Sequence, residues 1–269
     1  MVRKKILDAI VLSSTFGEEI EFIVNFLDSV ILNCSKIKEY YLVQPVLVFE
    51  LKEKEKCRKI REIFSKKDFP IKPLLLINKN SRGFPACLNY GIANTNSEFI
   101  LRLDTDDRLE EDRIKKQLDF MKKFSLDMSS GNMNDLSGKE LRYPTNRFGL
   151  SLVTALGACP IAHPSICIRR YIFNPYNEKL NRCEDVELWI RLFISEGFKW
   201  RGLDSSLTKY SIKRASEKSG ENALYQIKIR ASYSLRLIFA SFILILGIFP
   251  NLIRIFDSNN LLLNLRRRF

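Results

Sequence analysis

Apolar and polar positions follow two alternating rhythms through the first half of the chain. Ile6 to Ser14 is a short apolar run and reads as a strand. Glu18 to Asn33 spaces Ile20, Phe22, Ile23, Phe26, Leu27 and Val30 as one face of a helix does. Tyr41 to Glu50 predicts a second strand, Lys52 to Ser65 a charged amphipathic helix, and Lys72 to Asn78 a third strand. A Ser81-Arg82-Gly83 turn leads into a helix through Ala86, Leu88 and Ile92. Phe99 to Leu103 then predicts a fourth strand and Glu110 to Phe124 another helix. Such alternation predicts an α/β fold with a mostly parallel central sheet and helices on both faces. Ligands on such sheets bind where the strands end.

Beyond Phe124 the rhythm loosens into a small, partly antiparallel portion. Asp127 to Asn134 and Lys139 to Tyr143 read as short strands, Phe148 to Leu156 as a helix, and Ser165 to Arg169 as a strand. Glu184 to Glu196 is helical, with Val186, Leu188, Trp189, Leu192 and Phe193 on its apolar face. Two short strands follow, Lys199 to Leu203 and Ser206 to Ile212, before a basic helix and an apolar tail.

Size and charge sharpen this outline. A chain of 269 residues with 46% hydrophobic positions has ample material for one large domain with an appendage. The net charge of +13 is mainly a C-terminal property: Lys209 to Phe269 holds eleven Lys or Arg against three acids. Those cations surround an uncharged run from Leu237 to Ile253, which favours an anionic membrane surface over nucleic acid. Seventeen helical residues would span roughly 25 Å, short of the ~30 Å hydrocarbon core. Both flanks are basic (Lys228, Arg230 and Arg236; Arg254 and Arg266 to Arg268), where a spanning helix normally carries its excess on one side. The expectation is a peripheral or re-entrant anchor at the cytoplasmic face of the cell membrane. A buried core helix is the alternative. The opening residues carry no secretory signal, and the six cysteines show no metal-ligand spacing, so reduced, buried thiols are expected.

The chemistry concentrates where the fourth strand ends. Asp104, Asp106 and Asp107 place three carboxylates within four positions, where like charges repel unless a cation or a helix N-terminus compensates them. Alternate residues of an extended segment point the same way, so Asp104 and Asp106 can converge on one hard divalent cation. An acidic helix cap is the plain alternative. Glu184-Asp185 opens a helix and offers either an acidic helix start or a general base. His163 is the single histidine, which excludes a two-histidine HExxH zinc site, and it reads as structural.

In order and spacing these motifs resemble a family 2 glycosyltransferase of the GT-A fold, over about residues 5 to 215. The resemblance runs through Arg82-Gly83, Leu88-Asn89-Tyr90-Gly91-Ile92, Arg102 to Asp107, Arg113 with Gln117, His163-Pro164-Ser165, and Glu184-Asp185 ahead of Leu188 to Leu192. It implies a glycosyltransferase domain over residues 1–215, with a nucleotide-binding half at about 1–125 and an acceptor half at 126–215. Residues 216–269 form the membrane-associating tail.

By position, the resemblance makes Asp106 the ligand of Mn²⁺ or Mg²⁺, with Asp104 on the metal's shell or the ribose. Thr15, Glu50, Arg82 and Asn89 would line the nucleotide-sugar pocket. Asp185 would be the catalytic base of an inverting transfer to a lipid-linked or growing glycan, and no nucleic-acid partner is expected. Ser14-Thr15-Phe16 and Phe49-Glu50-Leu51 depart from the Tyr-Asn and Asp-Gly pairs common in the family. A nucleotidyltransferase, or a non-catalytic basic protein binding membrane or nucleic acid, are the rival readings.

Overall fold

The computed structural model describes residues 7–15, 17–67, 71–79, 83–194, 197–210 and 219–234, with residue 248. The apolar run at 237–253 thus lies almost wholly outside the described residues. Among those described, no helix is long and apolar enough to cross a membrane.

The element order is β1 (Leu7–Ser14), α1 (Ile20–Lys36), β2 (Val43–Glu50), α2 (Lys54–Ser65), β3 (Leu74–Asn78), α3 (Phe84–Ala93), β4 (Ser97–Arg102), β5 (Arg108–Leu109), α4 (Arg113–Lys123), β6 (Met128–Asp135), β7 (Glu140–Leu141), α5 (Arg147–Ala155), β8 (Cys167–Arg169), α6 (Glu184–Ile194), β9 (Trp200–Tyr210) and α7 (Ser219–Ser234). All nine strands form one sheet in the order β3-β2-β1-β4-β8-β6-β9-β5, with β7 on the outside of β6. The four strands β3, β2, β1 and β4 are parallel, as the alternation predicts. The strands β8, β7 and β5 add antiparallel pairs, while β6 and β9 run parallel.

The period of two in β1 divides the core. Ala9 and Val11 face α1 and α2, together with Phe99, Leu101 and Leu103 of the β4 segment. Ile10 and Leu12 face the opposite layer, with Ile100, Cys87 and Leu88 of α3, and Leu188 and Trp189 of α6. That second layer is tight. A Cβ on Gly91 of α3 would meet Leu12 Cδ1 at 2.5 Å and Val48 Cγ2 at 2.8 Å, so only glycine lets the helix lie this close to β1 and β2.

Two local expectations need correction. The pair of strands expected at 199–203 and 206–212 is one strand, β9, up to its described end at Tyr210. Asp204 and Ser205 look like a turn in sequence. They form instead a bulge, since Leu203 pairs with Gly131 and Ser206 with the next residue, Asn132. An acidic helix cap at Asp106 or Asp107 is also excluded: α4 begins only at Arg113, with Asp112 as its left-handed N-cap. The aspartates lie on the connection between β4 and α4, beyond the reach of that helix's first turn.

Candidate active site

The parallel strands end together and present Ser14-Thr15, Glu50, Asn78 and Arg102 along one edge. Leu103 stays hydrogen-bonded to Leu12 O at 3.2 Å, which carries the chain one residue past β4 before it turns. Asp107 N then donates to Asp104 O at 3.2 Å and closes the turn. The result brings carboxylate oxygens of Asp104, Asp106 and Asp107 within 4.8 Å of one another. Hard oxygen donors at this spacing suit a divalent cation such as Mn²⁺ or Mg²⁺.

Beneath the trio sits Arg102, 1% exposed, with its guanidinium 2.5 Å from Asp104 Oδ1 and 4.9 Å from the Phe84 ring centre. Its Nε and Nη1 have no hydrogen-bond partner among the described residues. Burial is the largest single influence and works against the charge, but Asp104, Tyr176 and Asp107 together raise the pKa, so Arg102 stays protonated. The strand end is pinned from the other layer by Arg113, which donates to Arg102 O and to Thr208 Oγ1, both at 2.8 Å. Gln117 similarly donates to Ser165 O at 2.8 Å. These family-motif residues are supports behind the site.

Glu184 and Asp185 open α6 as expected. Cys183 precedes them with a left-handed φ of 57°, a conformation that costs a non-glycine residue about 1 kcal/mol. Asp185 Oδ1 accepts the Val186 N–H at 2.8 Å, and Cys159 Sγ lies 3.6 Å from Oδ2. Burial, and then the Asp185 charge, push the Glu184 carboxyl up to about 7. Burial also raises Asp185, with Asp104 adding to it and the Val186 N–H opposing. Both members of the pair feel the Asp104 charge, so the two acidic groups lie near one another.

The only histidine supports this wall. His163 Nε2 lies 2.7 Å from the Tyr176 hydroxyl, and the imidazole packs edge-on against Phe84, Tyr176 and Trp189. Burial and then Arg102 hold its pKa well below the usual range, so the ring stays neutral.

The nucleotide-side residues have varied partners. Thr15 is buried and its hydroxyl donates to Glu53, which Lys56 also contacts at 3.0 Å. Glu50 accepts the Gly83 N–H at 2.7 Å and pairs with Lys52 at 2.6 Å, tying the end of β2 to the start of α3. Asn89 bridges α3 to residues 176–178: its amide donates to Tyr176 O and Glu178 Oε1 and accepts the Tyr176 N–H, each at 2.9 Å. Arg82 lies outside the described residues.

Sequence reasoning quoted Arg102 without giving it a role, and missed Tyr176 and Cys159. A cation ending an otherwise apolar strand was the available signal for Arg102. Tyr176 and Cys159 reach the site from far along the chain, and no spacing announces them.

Comparison with known proteins places this geometry. Residues 11–192 match the pattern of the family described as glycosyl transferase family 2. The O-antigen biosynthesis glycosyltransferase WbnJ of Escherichia coli is 30% identical over 158 residues, covering 55% of this chain and 60% of that protein. An uncharacterized glycosyltransferase of Rickettsia conorii is 29% identical, with 24% of its length covered. The match thus spans less than two thirds of either relative.

Among solved structures, residues 1–349 of S. aureus TarS superimpose with a TM-score of 0.68 at 15% identity, covering 94% of this chain and 74% of that one. The mannosyltransferase PcManGT of Pyrobaculum calidifontis, in complex with GDP-Man and Mn²⁺, gives a TM-score of 0.65 at 12% identity, covering 93% and 72%. The mixed sheet and its flanking helices are those of the GT-A fold. The chain belongs to glycosyl transferase family 2.

Proposed function

We propose that the chain moves a sugar from a nucleotide-diphosphate donor to a hydroxyl of a lipid-linked or growing surface glycan, with inversion, at the cytoplasmic face of the membrane. One observation carries this reading: three carboxylates cluster where the parallel strands end, and the charge of Asp104 among them reaches the buried Glu184–Asp185 pair. Support for the donor comes from neighbours of the same fold, TarS in complex with UDP-GlcNAc and PcManGT with GDP-Man and Mn²⁺. WbnJ supports a surface glycan as acceptor.

In this reading Asp104 and Asp106 hold Mn²⁺ or Mg²⁺, with Asp107 behind them. The ion supplies charge neutralisation for the departing diphosphate. Arg102 keeps Asp104 in place from below. Asp185 accepts the proton of the acceptor hydroxyl as the new bond to the sugar's anomeric carbon forms. The bond from that carbon to the diphosphate breaks on the opposite face, and the nucleoside diphosphate leaves. The raised pair serves this step because a carboxylate of higher pKa is the stronger base.

The test is a thermal-shift screen of nucleoside diphosphates and nucleotide sugars with and without Mn²⁺. Binding to the native state alone raises stability with the logarithm of ligand concentration over Kd. A donor that stabilises the chain only with metal supports the reading; no response to any nucleotide refutes it.

A further inference from the structure

The helix α5 carries an apolar stripe on its outward side. Phe148 is 80% exposed, Leu152 51% and Leu156, at the helix C-cap, 56%. Residues four apart share a helix face, so the three side chains form one row about 12 Å long. Among the described residues no other helix has three exposed large apolar side chains at this spacing. The helix is well made on its other side: Leu150 is buried, and Asn146 Oδ1 caps the Gly149 N–H at 2.9 Å. The stripe therefore serves something outside the described fold.

Position and charge identify the occupant. Arg230 of α7 donates to Thr154 O at 2.9 Å and to Ala158 O at 3.4 Å, joining α7 to the C-terminal end of α5. The helix α7 ends at Ser234, one turn further on, and the uncharged run from Leu237 to Ile253 follows three residues later. The described part of α7 thus reaches one turn beyond the residue that joins it to the Leu156 end of the stripe. The stripe and the run share basic flanks. Arg147 is exposed before Phe148, Lys228 is exposed on α7, and α5 contains no acid, while Arg142 nearby pairs with Glu140 at 2.9 Å. A row of three side chains is too small for a stable protein interface, which needs ~1,200 Å² or more in total. Interfacial insertion into anionic lipid needs only a few apolar side chains with basic neighbours.

We propose that the α5 stripe of Phe148, Leu152 and Leu156 docks on an anionic bilayer, so that the site receives its acceptor from the membrane surface. The inference builds on the lipid-linked acceptor read above. It also explains the placement: the stripe ends three residues before Cys159, whose thiol lies against the candidate base Asp185. The partner is a bilayer with anionic headgroups, contacted by side chains flanking the acceptor wall.

The test uses the full chain, with the wild-type chain as baseline. Trp189 and Trp200 are buried, 1% and 5% exposed, so lipid-borne bromine leaves their emission largely unquenched and any added loss reports the new surface indole. Phe148→Trp and Leu152→Trp, with Phe22→Trp on α1 as control, are mixed with phosphatidylglycerol vesicles containing brominated phosphatidylcholine. Quenching at 148 and 152, with none at the 65% exposed position 22, is the expected result. Phe148→Asp and Leu152→Asp should each lower vesicle partition roughly tenfold, as a half-buried Leu or Phe contributes about that much.

Vesicle binding without quenching at 148 and 152 overturns the proposal, since the tail alone then docks. So does blue-shifted emission at 148 before vesicles are added, which means protein covers the stripe. The nucleotide screen above tests sugar transfer separately. A chain that binds no donor yet is quenched at 148 and 152 refutes that function and leaves the docking surface standing.

Discussion

Replacing Glu184 by Gln should make the metal-free protein more stable at neutral and alkaline pH, and the size of the effect follows from the site. Glu184 is held at about 7 against an ordinary 4.5, first by burial and then by the adjacent Asp185. A folded-state pKa above the unfolded value means that the native chain binds the proton more tightly. The associated stability is fully present below about pH 4.5 and is lost as pH rises through about 7. At about 1.4 kcal/mol per tenfold change, the ionised carboxyl is disfavoured by about 3 kcal/mol, and solvent at the half-buried pair reduces this to about 2 kcal/mol. Glutamine keeps the shape of the protonated acid and removes the ionisation.

The assay is urea denaturation in EDTA at about pH 5 and about pH 8. The wild-type chain should lose about 2 kcal/mol more than Glu184→Gln between the two conditions. Near pH 8 the variant should melt roughly 6 °C higher. An identical pH dependence in both proteins, within about 0.5 kcal/mol, would refute the claim that burial and like charge raise this pair.

Four further outcomes follow from the geometry. Asp185→Asn keeps an acceptor for the Val186 N–H, so turnover should fall about 10²- to 10⁴-fold, with donor affinity by calorimetry within about twofold of wild type. Asp106→Ala should abolish the extra thermal stabilisation that Mn²⁺ gives with a nucleoside diphosphate, while the melting temperature in EDTA stays level or rises. Gly91→Ala drives a methyl into Leu12 and Val48 and should lose about 1–3 kcal/mol in urea denaturation. Asn89→Ala removes three hydrogen bonds between α3 and residues 176–178 and should lower stability by about 2 kcal/mol, with proteolysis concentrating near Tyr176.

Most of the parallel half was legible because its signals are local. Residues such as Ala9, Ile10, Val11 and Leu12 alternate between two buried layers, so β1 reads as a continuous apolar run of strand length. The β9 bulge was not legible. Asp204-Ser205 has turn chemistry, and only pairing with β6, some seventy residues earlier, shows that the strand passes through it.

The candidate site divides in the same way. The Asp104 to Asp107 cluster and the helix start at Glu184 were visible as short patterns. What surrounds them depends on contacts across many residues: Tyr176 held by Asn89 87 positions away, Cys159 against Asp185 26 positions away, and Arg113 bracing Thr208 at 95. Thr15 and Glu50 stand where the sequence placed them, at the ends of β1 and β2. Their partners, Glu53 and the Gly83 N–H, could not be read from composition.

The acids at the site fall into two environments, and the difference assigns their work. Asp104 accepts a buried guanidinium and shares a tight turn with Asp106 and Asp107, an oxygen-donor cluster that suits a cation. Burial raises both Glu184 and Asp185, Asp104 adds to both and Asp185 adds to Glu184, opposed mainly by backbone N–H groups at the start of α6. A carboxyl in that setting takes up a proton readily at neutral pH, as deprotonating a hydroxyl requires. Exchanging the two environments would spoil both tasks, since a carboxyl raised by burial binds a cation poorly and a cluster of cation ligands is not free to take a proton. This chemical split, more than the clustered aspartates themselves, suits the site to the proposed transfer of a sugar from a diphosphate to a hydroxyl.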